Sequence, residues 1–366
     1  VFAGSARLVA AATISLAMSM SCADRESGPA RGVWDFEPEM VWETGRVGGT
    51  ELKRPAEPRV SPDGVIYFHD FDTKKSMIID ANGEYLGTFA AAGTGPGMVS
   101  NYLNCFLSRN EVVVGTPDKL HFFDRQGTFL RSIPNNLFLR FPLAFIDDHI
   151  VFMGPGALCN LPECEVTVSR VNLETGAEKE IHRFEVSDDE NFRFGGVIIG
   201  LIPQIKMDYD TDSGLIYFGR NDRYEIIAAD RDGLVKRTFG LQCERADVSE
   251  STKRAHFENF GIPPERYESI LPMLPQKLTY YHRIQILDGR VFIFRMDELS
   301  SRRNRQDIDI FSREGRYLYR GRIVLPPGDY FENPDQLHLG DGYLYVILRD
   351  DDGGRRIARY RVRMPV

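Results

Sequence analysis

Val65-Ile66-Tyr67-Phe68, entered from the turn Ser61-Pro62-Asp63-Gly64 and left through His69-Asp70, is the first of six similar stretches in this chain. Val112-Val113-Val114-Gly115, Ile150-Val151-Phe152-Met153, Leu215-Ile216-Tyr217-Phe218, Val291-Phe292-Ile293-Phe294 and Leu344-Tyr345-Val346-Ile347 repeat it. Each is a short β-branched or aromatic run bounded by turn residues, the pattern of a buried strand. Recurrence at roughly 40–50 residues marks a β-propeller blade, since one such sheet cannot bury both faces alone. Six copies predict an all-β, six-bladed β-propeller.

A second repeat lies one hairpin downstream: Ile79-Asp80-Ala81-Asn82-Gly83, Phe123-Asp124-Arg125-Gln126-Gly127, Ala229-Asp230-Arg231-Asp232-Gly233 and Phe311-Ser312-Arg313-Glu314-Gly315, with Asn172 to Gly176 a looser copy. Asp or Ser opens the turn and Gly takes its left-handed position, so each copy joins strands three and four of a blade. The sixth blade has no such hairpin, because the chain stops soon after a third strand at Arg355 to Arg363. A missing outer strand would leave an unpaired edge. Met40 to Val47 resembles the fourth strands elsewhere and is expected to complete that blade, closing the ring with the N-terminal strand.

At 366 residues and a formal net charge of −8, the chain has the length for six blades and lacks the basic footprint of a nucleic-acid binder. Residues 1–21 read as a secretory signal: Arg7 is followed by a short apolar run, Leu8 to Met20, too short to span a bilayer. The stretch ends Ser19-Met20-Ser21-Cys22, which resembles the bacterial lipoprotein signal with Cys22 as the lipidated residue, although Ser19 stands where leucine is usual. The alternative is simple secretion. Residues 22–32 read as a polar tether and residues 33–366 as the propeller, with an insertion at 242–283. Export places the protein in the cell envelope, where Cys159 and Cys164 form either a disulfide or two free thiols. Cys105 reads as a core residue, and no metal or cofactor is expected.

The strand Gly83 to Phe89, followed by Gly93-Thr94-Gly95-Pro96-Gly97, resembles the NHL-type repeat. With the Cys22 signal, the chain resembles bacterial six-bladed β-propeller lipoproteins, related in architecture to TolB-like propellers, over about residues 33–364. Met98-Val99 departs from the acidic-aromatic pair that follows the turn in NHL sequences.

In a four-stranded blade, the strand-two loops and the blade connections share one face and the hairpins share the other. The first face carries the long excursions here: 154–165, 187–204, 242–283 and 295–307. Long surface loops cost little stability and usually hold function, so this face is the expected binding face. Second strands end there in His69-Asp70, Arg220-Asn221-Asp222, Arg295-Met296-Asp297 and Arg349-Asp350, and Tyr280-Tyr281-His282 leads into blade five. His69, Asp70, Arg220, Asp222, Tyr281, His282, Arg295, Asp297 and Arg349 are therefore the candidate ligand residues. Arginines there would hold an anion, and the aromatic pair would stack on a sugar or peptide. The competing reading pairs each Arg with its neighbouring Asp.

Within the insertion, Ser249 or Ser251 is the expected N-cap of a helix and Pro263-Pro264 opens a second, forming a lid or a simple filler. The apolar stretch Phe192 to Pro203 reads as a ligand wall or a buried strand. Asp208 to Gly214 imitates the start of a calcium loop, but Gly219 stands where the bidentate Glu belongs, so a wide hairpin turn is expected. No nucleophile elbow or phosphate loop is present. The preferred function is an exported, lipid-anchored binder of a protein, peptide or carbohydrate, with no enzymatic activity. The alternative is a propeller enzyme, such as a metal-dependent lactonase-like hydrolase or a lyase, with carboxylates gathered in the channel.

Overall fold

Each apolar run becomes the second strand of an antiparallel sheet, and six such sheets form the ring of a six-bladed β-propeller. The structure is a computed structural model, which describes residues 28–365 apart from 109, 135–140, 147–148, 154–165, 185–200, 202, 260–262, 270, 300–302 and 333–335. The expectations on Cys22 and on Cys159 and Cys164, and most of that on Phe192 to Pro203, fall outside the described residues. Blades one to four run from the innermost to the outermost strand in chain order. Blade one, for example, is Pro55–Val60, Ile66–Asp70, Lys75–Ile79 and Tyr85–Phe89.

Blade six is closed as expected. Glu39–Thr44 pairs antiparallel with Arg355–Arg361, matching Thr44 to Ile357 and Glu39 to Arg361. Arg356 fastens the seam by reaching Glu43 on the closing strand at 2.8 Å and Asp329 at 2.7 Å. Its innermost strand is split between Tyr330–Phe331 and Leu337–Gly340, both paired with Tyr343–Arg349.

The repeated turns lock neighbouring blades radially. Asp80, Asp124 and Asp230 each accept two backbone N–H groups of their own turn through one carboxylate oxygen. The turn glycine then abuts the outer strand of the preceding blade. A Cβ on Gly127 would lie 3.0 Å from that of Phe89, and one on Gly315 would lie 2.7 Å from that of Phe239. Both glycines also have φ near +90°, so two independent constraints demand glycine. Tyr67 and Tyr217 add hydrogen bonds from their hydroxyls to the turn carbonyls of Arg125 and Arg313 in the next blade.

Innermost strands have a strand partner on one side only, which leaves backbone groups facing the axis. Side chains lace these groups from blade to blade. Arg59 donates Nε–H to the Cys105 carbonyl at 2.8 Å, Asp208 accepts the Ile286 N–H at 2.7 Å, and Gln285 bonds both the N–H and the carbonyl of Leu339. Asp208 therefore belongs to this lacing, and the stretch after it forms a turn in which Gly214 N–H bonds the Asp210 carbonyl. Cys105 is fully buried on the inner strand of blade two, as its apolar setting suggested.

A short strand before the closing one was not expected from the sequence. Val33–Asp35 adds a fifth, parallel strand to the outer edge of blade five, against Tyr317–Val324. Ala30 and Arg31, within the stretch read as tether, already bond the carbonyls of Tyr317 and Leu318. Phe36 follows and is fully buried among Phe292, Phe294, Ile310 and Tyr360 between blades five and six. The N-terminal segment thus grips both blades at the seam.

Deleting residues 34–47 removes the closing strand and Phe36 together. The truncated protein is expected to lose its single cooperative melting transition in calorimetry. A melting profile matching that of the intact chain would show that closure does not depend on this segment.

Candidate functional site

The four second-strand ends singled out in the sequence do lie at the loop-rich rim, closing Ile66–Asp70, Leu215–Arg220, Arg290–Arg295 and Tyr343–Arg349. Their side chains meet different fates. His69 is buried, stacked on Tyr102 with ring centroids 4.0 Å apart, and its Nδ1 contacts the Ser76 hydroxyl at 2.9 Å. Burial pulls its pKa down to about 4, leaving it neutral at physiological pH. Asp70 is fully buried and accepts four backbone N–H groups, from Lys53, Arg54, Asp72 and Thr73. This carboxylate ties the incoming chain to the blade-one loop.

Blades four and five hold a denser group. Arg220 forms a buried ion pair with Asp222 at 3.1 Å, as the pairing reading anticipates. Between them in sequence, Asn221 accepts the Gln204 N–H and donates to the Tyr281 carbonyl, joining the two blades. Tyr281 is fully buried and packs its ring edge-on to Tyr224 at 5.8 Å. His282 is buried, with Nε2 3.1 Å from Gln306 Oε1. These residues support the rim from below.

Arg295 differs because it connects the interior to the surface. It binds the half-exposed Asp297 at 2.8 Å and the fully buried Asp309 at 3.2 Å. Asp309 also accepts bonds from the hydroxyls of Tyr224 and Tyr317 and from Arg320 Nε–H. Burial alone would lower the Arg295 pKa, but the bond to Asp297 and the charge of Asp309 outweigh it, so the guanidinium stays charged. Burial and the same carboxylate push Tyr224 well above the ordinary tyrosine range. Sequence reasoning missed this hub. Its one trace is Asp309 interrupting the apolar run from Ile308 to Phe311, in a strand whose other buried positions are apolar apart from Gln306.

The insertion builds its own small core beside this group. Ser249 accepts the Thr252 N–H and so caps the helix α1 (Glu250–Asn259), while Pro263 precedes α2 (Pro264–Tyr267), both as expected. Val248, Phe257, Tyr267, Leu271, Leu274 and Leu278 pack together and onto Met296, the residue between Arg295 and Asp297. Val248 bonds Gln276 and Leu278 bonds Ala246, closing the base of the insertion with a short ladder. Lys253 is buried in this core and donates to the Leu274 carbonyl at 3.1 Å.

Arg349 stands apart. It is partly exposed, and its guanidinium has no hydrogen bond or ion pair among the described residues. The adjacent Asp350 turns away to cap its own loop by accepting the Gly354 N–H at 2.7 Å. Among the described residues, no group of three or more His, Cys, Asp or Glu side chains is arranged to hold a metal ion. Nor is any helix among them long and apolar enough to cross a membrane.

With ring and rim in view, the chain can be set beside known proteins. It is similar in fold to a DUF4221 protein. That crystal structure, of a family member from Bacteroides vulgatus, superposes with a TM-score of 0.54 at 12% identity, over 90% of this chain and 99% of the other. A protein from Bacteroides fragilis follows at TM-score 0.49 and 10% identity, covering 91% and 99% of the two chains. Regucalcin, a calcium-binding protein from Agrobacterium tumefaciens, gives 0.44 at 13% identity, with 91% and 97% covered. No protein-family model matches the sequence, and no curated protein does either. At these identities the likeness extends to the fold and not to the chemistry of a site.

Asp309→Asn keeps the shape of the hub and removes its charge, leaving Arg295 and Arg320 without their shared buried anion. The expected cost is on the order of 3 kcal/mol, seen as a lower midpoint in urea unfolding. An unchanged midpoint would mean that the two arginines are fully compensated elsewhere.

Proposed function

We propose that this protein is an extracytoplasmic propeller, anchored by lipid at Cys22, that binds a ligand or partner protein on its loop-rich face without catalysing a reaction. The contrast between the two faces carries the reading. On the hairpin face, Asp80, Asp124, Asp230 and Ser312 each cap their own turn. At the other rim, Arg349 presents a cation with no bond among the described residues, while Arg295 and Asp297 sit partly exposed on a rigid buried base. A binding surface needs charged groups held in place yet open to solvent. Arg349, Arg295 and Asp297 are the contact residues of this reading, with His69, Asp70, Arg220, Asp222, Tyr281 and His282 supporting them.

Anchoring at Cys22 suits this orientation. Val33–Asp35 runs parallel to Tyr317–Val324, so the chain joins the ring beside the hairpin turn at Ser312 to Arg316. Seven residues lie between Cys22 and Ala30, a reach of at most about 29 Å. A lipid at Cys22 would hold the hairpin face toward the bilayer and direct the loop-rich face away from it. The kinship with NHL-type lipoproteins rests on the Gly93 to Gly97 turn and on Cys22.

Affinity capture from envelope extract, with the mature protein immobilised, tests the binding face. Arg349→Glu is expected to release the captured partner at least ten-fold more readily, while Lys236→Glu on the outer strand of blade four leaves capture unchanged. The opposite pattern would move recognition to the other side of the ring. Metabolic labelling with palmitate tests the anchor. Cys22→Ser is expected to lose the label and leave the membrane fraction, and equal labelling of both forms would rule out lipidation at Cys22.

A further inference from the structure

The axis of the ring carries a chemistry that the rim does not. Arg59, Asp208, Gln285 and His338 occupy the same place in the innermost strands of blades one, four, five and six. Each lies opposite a central residue of the second strand, Tyr67, Tyr217, Phe292 and Tyr345 respectively, and the first three of these pair onward with Ile78, Ala228 and Ile310, each two residues before its hairpin turn. The equivalent residues of blades two and three are Phe106 and Ala144, opposite Val113 and Val151. One level of the channel therefore collects nearly all its polar groups on the side formed by blades four, five, six and one. That level lies toward the hairpin face, away from the loop-rich rim.

Most of these groups are committed to lacing. Gln285 is used up on Leu339, and Asp208 accepts the N–H groups of Ile286 and Tyr209. Arg283, one pleat above Gln285, donates to the Leu337 carbonyl and to His338 Nδ1 at 3.3 Å. The Nδ1 of His338 is then an acceptor, which puts the ring proton on Nε2. That Nε2–H has no partner among the described residues. Arg59 gives its Nε–H to the Cys105 carbonyl and lays its guanidinium over the Phe106 ring, 5.9 Å from the centroid, while neither terminal nitrogen has a hydrogen bond or ion pair among the described residues. Arg59, Asp208, Arg283 and His338 are not tightly packed although they lie within the ring, so they border open space inside it.

We propose that the channel binds one small oxyanion, of carboxylate or phosphate type, held by the terminal nitrogens of Arg59 and the Nε2–H of His338 beside Arg283. A guanidinium offers a planar fork matched to two oxygens of such a group, and an enclosed site strengthens the attraction relative to bulk water. The innermost strands of blades one and six adjoin at the ring closure, bringing Arg59 and His338 to the same side of the axis. The field there is positive. Burial together with the charges of Arg283 and Arg59 pulls the His338 pKa down to about 3, so the imidazole stays a neutral donor. Asp208 supplies the opposing wall, which restricts the site to compact anions able to keep clear of its carboxylate.

Isothermal titration of the mature protein with inorganic phosphate and, separately, with acetate distinguishes the two anion classes. Saturable binding of at least one, with one site per chain, is expected. Arg59→Gln should weaken it at least ten-fold, and Arg59→Lys should restore part of the loss by returning the charge. Arg349→Glu should leave it unchanged, which separates this site from the rim. The imidazole Nε2–H resonance of His338 should shift on addition of the anion, a readout that needs no variant to fold. Absence of saturable binding to the unmodified protein, or binding that leaves that resonance and the Arg59→Gln affinity unaltered, would overturn the proposal.

Discussion

The pairing of Glu39–Thr44 with Arg355–Arg361 is the contact on which the rest of the ring depends. A blade buries its faces only against two neighbours, so an open ring would expose both faces at the gap as well as an unpaired strand edge. Closure here joins residues more than three hundred positions apart, and the chain reinforces it twice. Arg356 bridges Glu43 and Asp329 across the seam, and Phe36 fills the space between blades five and six. Loop-closure entropy rises only slowly with length, so a single strand pair backed by a buried aromatic ring can hold such a distant join.

Closure sets a second problem at the axis, where the inner strand edges face one another without pairing. The chain answers it with side chains. Arg59, Asp208, Arg283 and Gln285 each reach the backbone of the next blade. Polar groups at the centre of an otherwise apolar ring are therefore the cost of having inner edges at all. Their uneven distribution, absent from the equivalent positions Phe106 and Ala144, makes the channel chemically one-sided.

The loop-rich face shows how far neighbouring charges can mislead. Arg220-Asn221-Asp222, Arg295-Met296-Asp297 and Arg349-Asp350 look alike as text. In the ring, Arg220 and Asp222 form a sealed pair, Arg295 divides itself between a surface and a buried carboxylate, and Arg349 has lost its neighbour to a loop cap. The difference arises from what the adjacent blade brings. Asp309 waits beneath Arg295, whereas among the described residues nothing comparable reaches Arg349. Asp309 itself was legible only as one carboxylate in an apolar strand, and its partners Tyr224 and Arg320 lie 85 and 11 residues away from it in sequence.

Local regularities were enough to read blade number, turn chemistry, the closing strand and an N-cap at Ser249 or Ser251 directly from the residues, because each depends on contacts within a few positions or on a repeated pattern. Alternation, Asp-to-Gly turns and an unpaired last blade all speak through spacing. Which polar residues are buried, which are shared between blades and which remain open to solvent was decided by the ring alone. Those properties depend on the neighbour across an inter-blade space, and a linear pattern holds no record of that neighbour. The parallel strand Val33–Asp35 belongs to the same class, since its partner Tyr317–Val324 is chosen by the position of the seam and not by anything in its own three residues.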